Sequence, residues 1–395
     1  VTPQNTPVSL LRERTSHDAG KVNFVELFFD LVFVFAITQL SHSLLHHFTA
    51  AGLAETMMLL LAVWWVWMYT TWVTNWLDPQ ATLVRLLLFV LMFAGVLMSI
   101  SIPHAFEETG LLFACAFVFM QVGRSLFMCW VLRSRNERNY RNFLRITAWL
   151  ALSGAFWIGG AFVDHNARYL IWGLAILIEY SGPALGFWTP RLGRSTTSDW
   201  DVSGGHIAER CGLFIIIALG ESLLVSGATV ADLPWTFLNT VSLINAFGST
   251  IAMWWIYFNI SAEYATRQIE HSNDPGRMAR LAYTYLHLPL VAGIILVAVA
   301  DGLVLQDPMG PTSALAAVAV LGGPAIYLLG NFLFKLTVCV SFAKTRAIGI
   351  VVLAIASLAY SQLPLLPLSI IATLTLTAVG AWETYMVKKG LVPIR

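Results

Sequence analysis

Apolar runs of about 20 residues recur along the whole of this 395-residue chain. Wound as an α-helix at ~1.5 Å per residue, such a run crosses the ~30 Å of a bilayer's hydrocarbon. In lipid no water is present to satisfy a backbone N–H or C=O, so spanning segments are helices that satisfy their own. Twelve spans can be read: 24–45, 53–76, 83–102, 110–132, 144–163, 167–188, 207–229, 236–260, 280–304, 313–335, 345–362 and 366–387. No gap between them is long enough for a separate soluble domain. Composition agrees: 57% of residues are hydrophobic and 11% charged, against about 25% charged in soluble domains. The expected fold class is an all-α polytopic membrane protein of about twelve transmembrane helices.

Lysine and arginine give an orientation. With twelve spans, one set of loops and both tails hold almost all 23 of them. The N-terminal tail has Arg12, Arg14 and Lys21, and loop 4–5 runs from Arg133 to Arg145. Loop 8–9 has Arg267, Arg277 and Arg280, and loop 10–11 has Lys335, Lys344 and Arg346. The opposite loops hold only Arg168. The positive-inside rule then places both termini in the cytoplasm. Residues 1–20 are polar and lack the short apolar core of a cleavable signal peptide.

The two halves share landmarks in the same order. Val25-Glu26 opens span 1 and Ala208-Glu209 opens span 7. Trp64-Trp65-Val66-Trp67 lies in span 2 and Trp254-Trp255-Ile256-Tyr257 in span 8. Asp78-Pro79 with Arg85 follows the first, and Asp274-Pro275 with Arg280 the second. This order argues for duplication of a six-helix unit, the copies sharing one orientation in the membrane because six is even. The expected organisation is an N-terminal tail (1–23), a first repeat (24–190), a cytoplasmic linker (191–206), a second repeat (207–390) and a C-terminal tail (391–395). The tryptophan stripes suit packing or interface anchoring better than a ligand box.

Ionisable residues inside the spans are the candidates for function. A charge at the centre of a membrane helix costs roughly 2.5–3.5 kcal/mol on insertion scales, so such residues pair, stay hydrated or are used. Glu26 and Asp30 stack on one face of span 1, four residues apart. Span 2 becomes polar toward Asn75 and Asp78, and Arg85 opens span 3. Arg124 lies in the inner half of span 4, three residues after Gln121. Glu179 precedes the Ser181-Gly182-Pro183 break of span 6, and span 7 carries His206, Glu209, Arg210 and Glu221. Most of these acids and bases fall in one layer on the cytoplasmic side. A purely structural role, in which ion pairs lock helices or snorkel to the interface, competes with a functional one. Which acid meets which base is not written in the sequence.

The four cysteines form no CxxC pair and read as small packing residues. A net charge of +1 with arginines that track topology gives no reason to expect nucleic-acid binding. No cofactor is predicted.

Three blocks resemble the bacterial low-temperature-requirement A (LtrA) family. They are Glu26-Leu-Phe-Phe-Asp30-Leu-Val-Phe-Val-Phe-Ala; Trp64-Trp65 with Asn75-Trp76-Leu77-Asp78-Pro79; and His206-Ile-Ala-Glu209-Arg210 followed by Ala218-Leu-Gly-Glu221-Ser222. They spread over both halves. One departure is Cys211, where an aromatic residue is more usual. The resemblance implies a polytopic bacterial inner-membrane protein whose family is named for growth in the cold. It brings no established substrate or reaction.

Function therefore rests on the polar layer. A secondary transporter or permease for a small molecule or ion, with Glu26, Asp30, Asn75, Asp78, Arg85, Arg124, Glu179, His206, Glu209, Arg210 and Glu221 as binding or coupling candidates, fits the spans and the layer best. An intramembrane enzyme or metal protein is the alternative: His206 and Glu209, with Glu26 and Asp30, offer imidazole and carboxylate ligands. Against it, HExxH, GxSxG and phosphate-loop motifs are all missing from the sequence. A channel or a membrane sensor is the third reading. Membrane lipid is the expected partner, and oligomeric state is left open.

Overall fold

The computed structural model describes residues 9–12, 21–196, 202–259, 261–272, 274–339 and 344–389. The C-terminal tail 391–395, Arg14 and part of the 191–206 linker lie outside the described residues. Every named element among the described residues is helical. We number them α1 Phe24–His46, α2 Ala50–Trp76, α3 Thr82–His104, α4 Gly110–Leu132, α5 Glu137–Gly160 and α6 His165–Ser181. After the linker come α7 Gly204–Ala231 and α8 Phe237–Phe258, the short α9 Ser261–Glu270, then α10 Pro275–Gln306, α11 Ala314–Val338, α12 Lys344–Gln362 and α13 Leu365–Lys388. Eleven of the described helices are long and apolar enough to cross a membrane.

The twelfth expected span, 167–188, is α6. It has 17 residues and ends at Ser181, so it rises about 26 Å. Gly182, Pro183 and a turn with positive φ at Gly186 (62°) and Phe187 (48°) replace its expected last turns. Phe187 then packs over Gly182, where an added Cβ would lie 2.8 Å from the ring. Polar residues extend other helices past their apolar cores. Asn136 caps α5 by accepting from Asn139 N at 3.1 Å, so this helix starts seven residues before the expected 144. Asp274 caps α10 by accepting from Arg277 N at 2.9 Å, with Pro275 in the first turn.

Rows of large apolar side chains face outward, such as Leu86, Phe89, Val90 and Phe93 on α3, and Ile348, Val351, Val352 and Ile355 on α12. On a water-soluble protein such faces would be a liability; in a bilayer they meet their solvent. The chain is a multi-pass membrane protein.

Two compact units can be distinguished. The first comprises residues 1–36 and 61–207. Its core is aromatic: Trp157 and Trp172 lie 5.0 Å apart beside Phe113, and Trp65 stacks on Tyr180 at 3.9 Å. Arg168 is buried and binds loop carbonyls, reaching Ala105 O at 3.0 Å and Glu107 O at 2.7 Å, and it caps the end of α5 through Gly160 O at 3.3 Å. The second unit comprises residues 37–60 and 208–395. Its centre is α10 packed on α11. Gly293 lets the helices close: an added Cβ there would lie 2.7 Å from Tyr327 N and 2.8 Å from Gly323 O.

The two tryptophan stripes have different surroundings. Trp64, Trp65 and Trp67 are at most 1% exposed, whereas Trp254 and Trp255 are 43% and 41% exposed. The first stripe is core. The second faces outward.

Candidate functional site

The first unit gathers a polar site where α1 begins. Asn23 caps α1, its Oδ1 accepting from Val25 N at 3.1 Å. Glu26, three residues on, reaches back to accept from Asn23 N at 2.9 Å, a reciprocal capping box. The cap fixes the carboxylate at the helix mouth, and two further donors arrive from distant parts of the chain. Arg12 Nη2 lies 3.1 Å from Glu26 Oε2, and His206 Nε2 lies 2.9 Å from Glu26 Oε1. Glu26 and His206 are both 0% exposed.

Asn75, near the end of α2, fixes the imidazole. Ser203 N donates to Asn75 Oδ1 at 2.9 Å, which turns the amide nitrogen toward Ser203 O at 2.9 Å and His206 Nδ1 at 3.2 Å. An amide nitrogen only donates, so Nδ1 accepts and the ring proton sits on Nε2, aimed at Glu26. The site is thus a directed chain of hydrogen bonds, Asn75 to His206 to Glu26.

Arg12 comes from a segment that sequence reasoning treated as a plain tail. Residues 9–12 pair with the chain after α2: Arg12 N donates to Trp76 O at 2.8 Å, and Asp78 N to Leu10 O at 3.0 Å. A cavity of about 290 Å³ lies beneath this strap, lined by Arg12, Trp76, Asn136, Asn139 and Phe143 among others. Arg12 therefore borders both the cavity and the Glu26 carboxylate.

The same unit holds a second buried polar group deeper along α2. Arg124 Nη1 donates to Thr70 Oγ1 at 2.8 Å and Val66 O at 3.2 Å, and Nη2 donates to Gln121 Oε1. Gln121 Nε2 donates to Glu179 Oε2 at 3.0 Å. The other Glu179 oxygen accepts from Ser153 Oγ at 2.7 Å and Trp157 Nε1 at 3.3 Å. The amide of Gln121 thus bridges a buried guanidinium and a buried carboxylate. It sits in a π-helical turn of α4, Phe119–Gly123, a local widening frequent at functional sites. Asp30 accepts from Trp67 Nε1 at 2.8 Å. Trp67, Thr70 and Asn75 fall within nine residues of α2, so buried polar groups hang at stepped depths along about 12 Å of that helix.

The remaining candidates take other places. Asp78 caps the next turn, accepting from Gln80 N at 2.9 Å, and the exposed Arg85 donates to Gln80 O at 3.3 Å. Neither joins the buried groups above. In the second unit Glu209 is exposed and Arg210 fully buried. Glu221 Oε2 accepts from Thr38 Oγ1 at 2.5 Å. Among the described residues, no group of three or more His, Cys, Asp or Glu side chains is placed to hold a metal ion.

Three features escaped the sequence reading. Arg12 lay in a polar tail. Asp301 is a buried carboxylate inside α10, its Oδ2 without a hydrogen-bond partner; one acid in the run Val299-Ala300-Asp301-Gly302 was the available signal. Glu383 is the third. Its Oε1 accepts from Lys335 at 3.2 Å, from Thr345 at 2.9 Å and from Arg346. Lys335 and Arg346 had been counted as loop charges; they lie on α11 and α12 and converge on α13.

The family profile described as "Bacterial low temperature requirement A protein (LtrA)" matches residues 21–381.

The chain belongs to the LtrA family.

An uncharacterized protein of Rhizobium meliloti (strain 1021), RA0937, is 40% identical over 388 residues, covering 96% of this chain and 92% of that protein. No solved structure matches. The LtrA match takes in Glu26, Asn75, Arg124, Glu179, His206 and Glu221, and leaves Arg12 outside it.

Proposed function

We propose that this LtrA-family protein is a secondary transporter of the bacterial inner membrane, with both termini cytoplasmic and transport coupled to protons. The observation that carries the reading is the fully buried His206–Glu26 pair beside a cavity that Arg12 lines. A membrane protein that needed only to hold helices together would gain little from it, because apolar side chains of the same shape in place of both partners of a buried hydrogen bond can be nearly neutral or stabilising. A titratable pair within hydrogen-bond distance, by contrast, is what a proton relay requires.

The chemistry follows from the hydrogen bonds. In the described arrangement His206 is neutral at Nδ1 and donates from Nε2 to an ionised Glu26, which also holds Arg12. A proton delivered to Glu26 removes the charge that attracts Arg12. The guanidinium is then released toward the cavity, where it can take an anionic solute or exchange with one. Loss of the proton restores the ion pair. Glu179, Asp30 and, in the second unit, Glu221 supply further carboxylates at membrane depth. The arginine-rich loops support the orientation through the positive-inside rule.

The reading is tested by purified protein in sealed liposomes carrying an internal pH-sensitive dye. An imposed pH gradient should collapse faster than in protein-free liposomes, and faster still with a transported solute outside. A gradient that decays alike with and without protein, across a panel of small anions and neutral solutes, contradicts it.

A further inference from the structure

The second unit carries a groove on its outward face, apart from the polar sites. It lies between α8 and α13 and has a volume of about 590 Å³. Small residues make the recess: Gly248 and Ala252 on α8, Gly380 and Ala381 on α13. Along α13 the lining runs from Leu376 to Lys388, a rise of about 18 Å. That is close to one leaflet, about half of a ~30 Å hydrocarbon core.

The groove changes character along its length. Its inner part is apolar. Its outer end has Trp255 and Tyr385, 41% and 57% exposed, and then the exposed Lys388. Trp255 is fixed there: its Nε1 donates to Thr384 Oγ1 at 2.9 Å, and Asn259 Nδ2 donates to the same oxygen at 3.0 Å. The Thr384 hydroxyl in turn donates to Gly380 O at 2.9 Å. Its capacity is used within the protein, so recognition at the mouth falls to the lysines. Lys389 lies over the Tyr385 ring at 5.9 Å beside Lys388. The acid of this helix end, Glu383, is 7% exposed and turned onto Lys335 and Arg346. The mouth is therefore positive.

We infer that this groove is a binding site for an anionic phospholipid, one acyl chain lying between α8 and α13 and the phosphate held by Lys388. Apolar depth, an aromatic pair at headgroup level and a lysine beyond it match the amphipathic profile of that ligand. A zwitterionic lipid satisfies the groove and gains less from the mouth.

Native mass spectrometry of protein carried in mixed micelles of phosphatidylglycerol and phosphatidylcholine tests this. The wild type should retain phosphatidylglycerol with at least about fivefold preference. Lys388→Gln, an exposed change that leaves the fold alone, should lower the preference about fivefold while some lipid stays bound. Gly248→Leu fills the recess, where an added Cβ meets only Thr373 Cγ2 at 3.6 Å, and should remove retained lipid of both kinds. Equal retention by the wild type overturns the inference, as does a preference unchanged in Lys388→Gln. A groove substitution that shifts oligomeric state and not lipid occupancy would assign the groove to a second copy of the chain.

Discussion

The imidazole of His206 stands 2.9 Å from the carboxylate of Glu26, 180 residues earlier in the chain, with both side chains fully buried. Removing either partner takes a charge-assisted hydrogen bond from the other, which typically costs about 1.5–3 kcal/mol, while Glu26 keeps Arg12 and Asn23 and His206 keeps Asn75. Glu26→Ala and His206→Ala should each lower stability by at least that much. Their double mutant should lose less than the sum, with a coupling of about 1–3 kcal/mol. Denaturant titration of the four proteins in micelles measures it; additive losses would show that the two side chains do not act on one another.

Asn75 sets the ring proton. Nitrogen NMR of histidine-labelled protein should find His206 neutral, with Nε2 protonated and Nδ1 bare. Asn75→Leu should remove that bias. A protonated Nδ1 in the wild type would contradict the hydrogen-bond assignment.

Gln121 bridges Arg124 and Glu179 through its two ends. Gln121→Leu removes the hydrogen bonds to both groups and should destabilise by about 3 kcal/mol. Ser153→Ala removes one of several donors to Glu179 and should cost about 1 kcal/mol. The order of the two losses, read by denaturant titration, is the check.

Glu383 faces two cations. Glu383→Gln takes the negative charge from between Lys335 and Arg346 in the protein interior and should be severe, about 3–5 kcal/mol. Adding Lys335→Met removes one of the two cations and should recover part of that loss. A double mutant no more stable than Glu383→Gln alone would show that Lys335 does not share the carboxylate.

What the sequence disclosed was local. The apolar runs gave the class of fold, and the four-residue spacing put Glu26 and Asp30 on one helix face. The break at Ser181-Gly182-Pro183 was visible, yet the apolar residues after it extended the expected span past the helix end. Partners were beyond reach, because hydrogen bonds such as Asn75 to His206 join residues 131 apart in the chain. Arg12 was hidden for a related reason: a tail residue gains meaning only when the strap pairs beside Trp76. Asp301 was legible by the rule that singled out Asp30, and was passed over among stronger clusters. Lys335 and Arg346 were read through topology alone, which accounts for a charge near a helix end whether or not it has a buried partner.

On the proposed reading Glu26 is the carboxylate that takes up the transported proton. Proton flux into liposomes should be compared for wild type, Glu26→Gln and His206→Gln, each shown by circular dichroism and gel filtration to be folded. Flux should fall by tenfold or more in Glu26→Gln, and by less in His206→Gln, where an amide can still donate to the carboxylate. Folded Glu26→Gln protein that conducts protons at the wild-type rate would contradict the account.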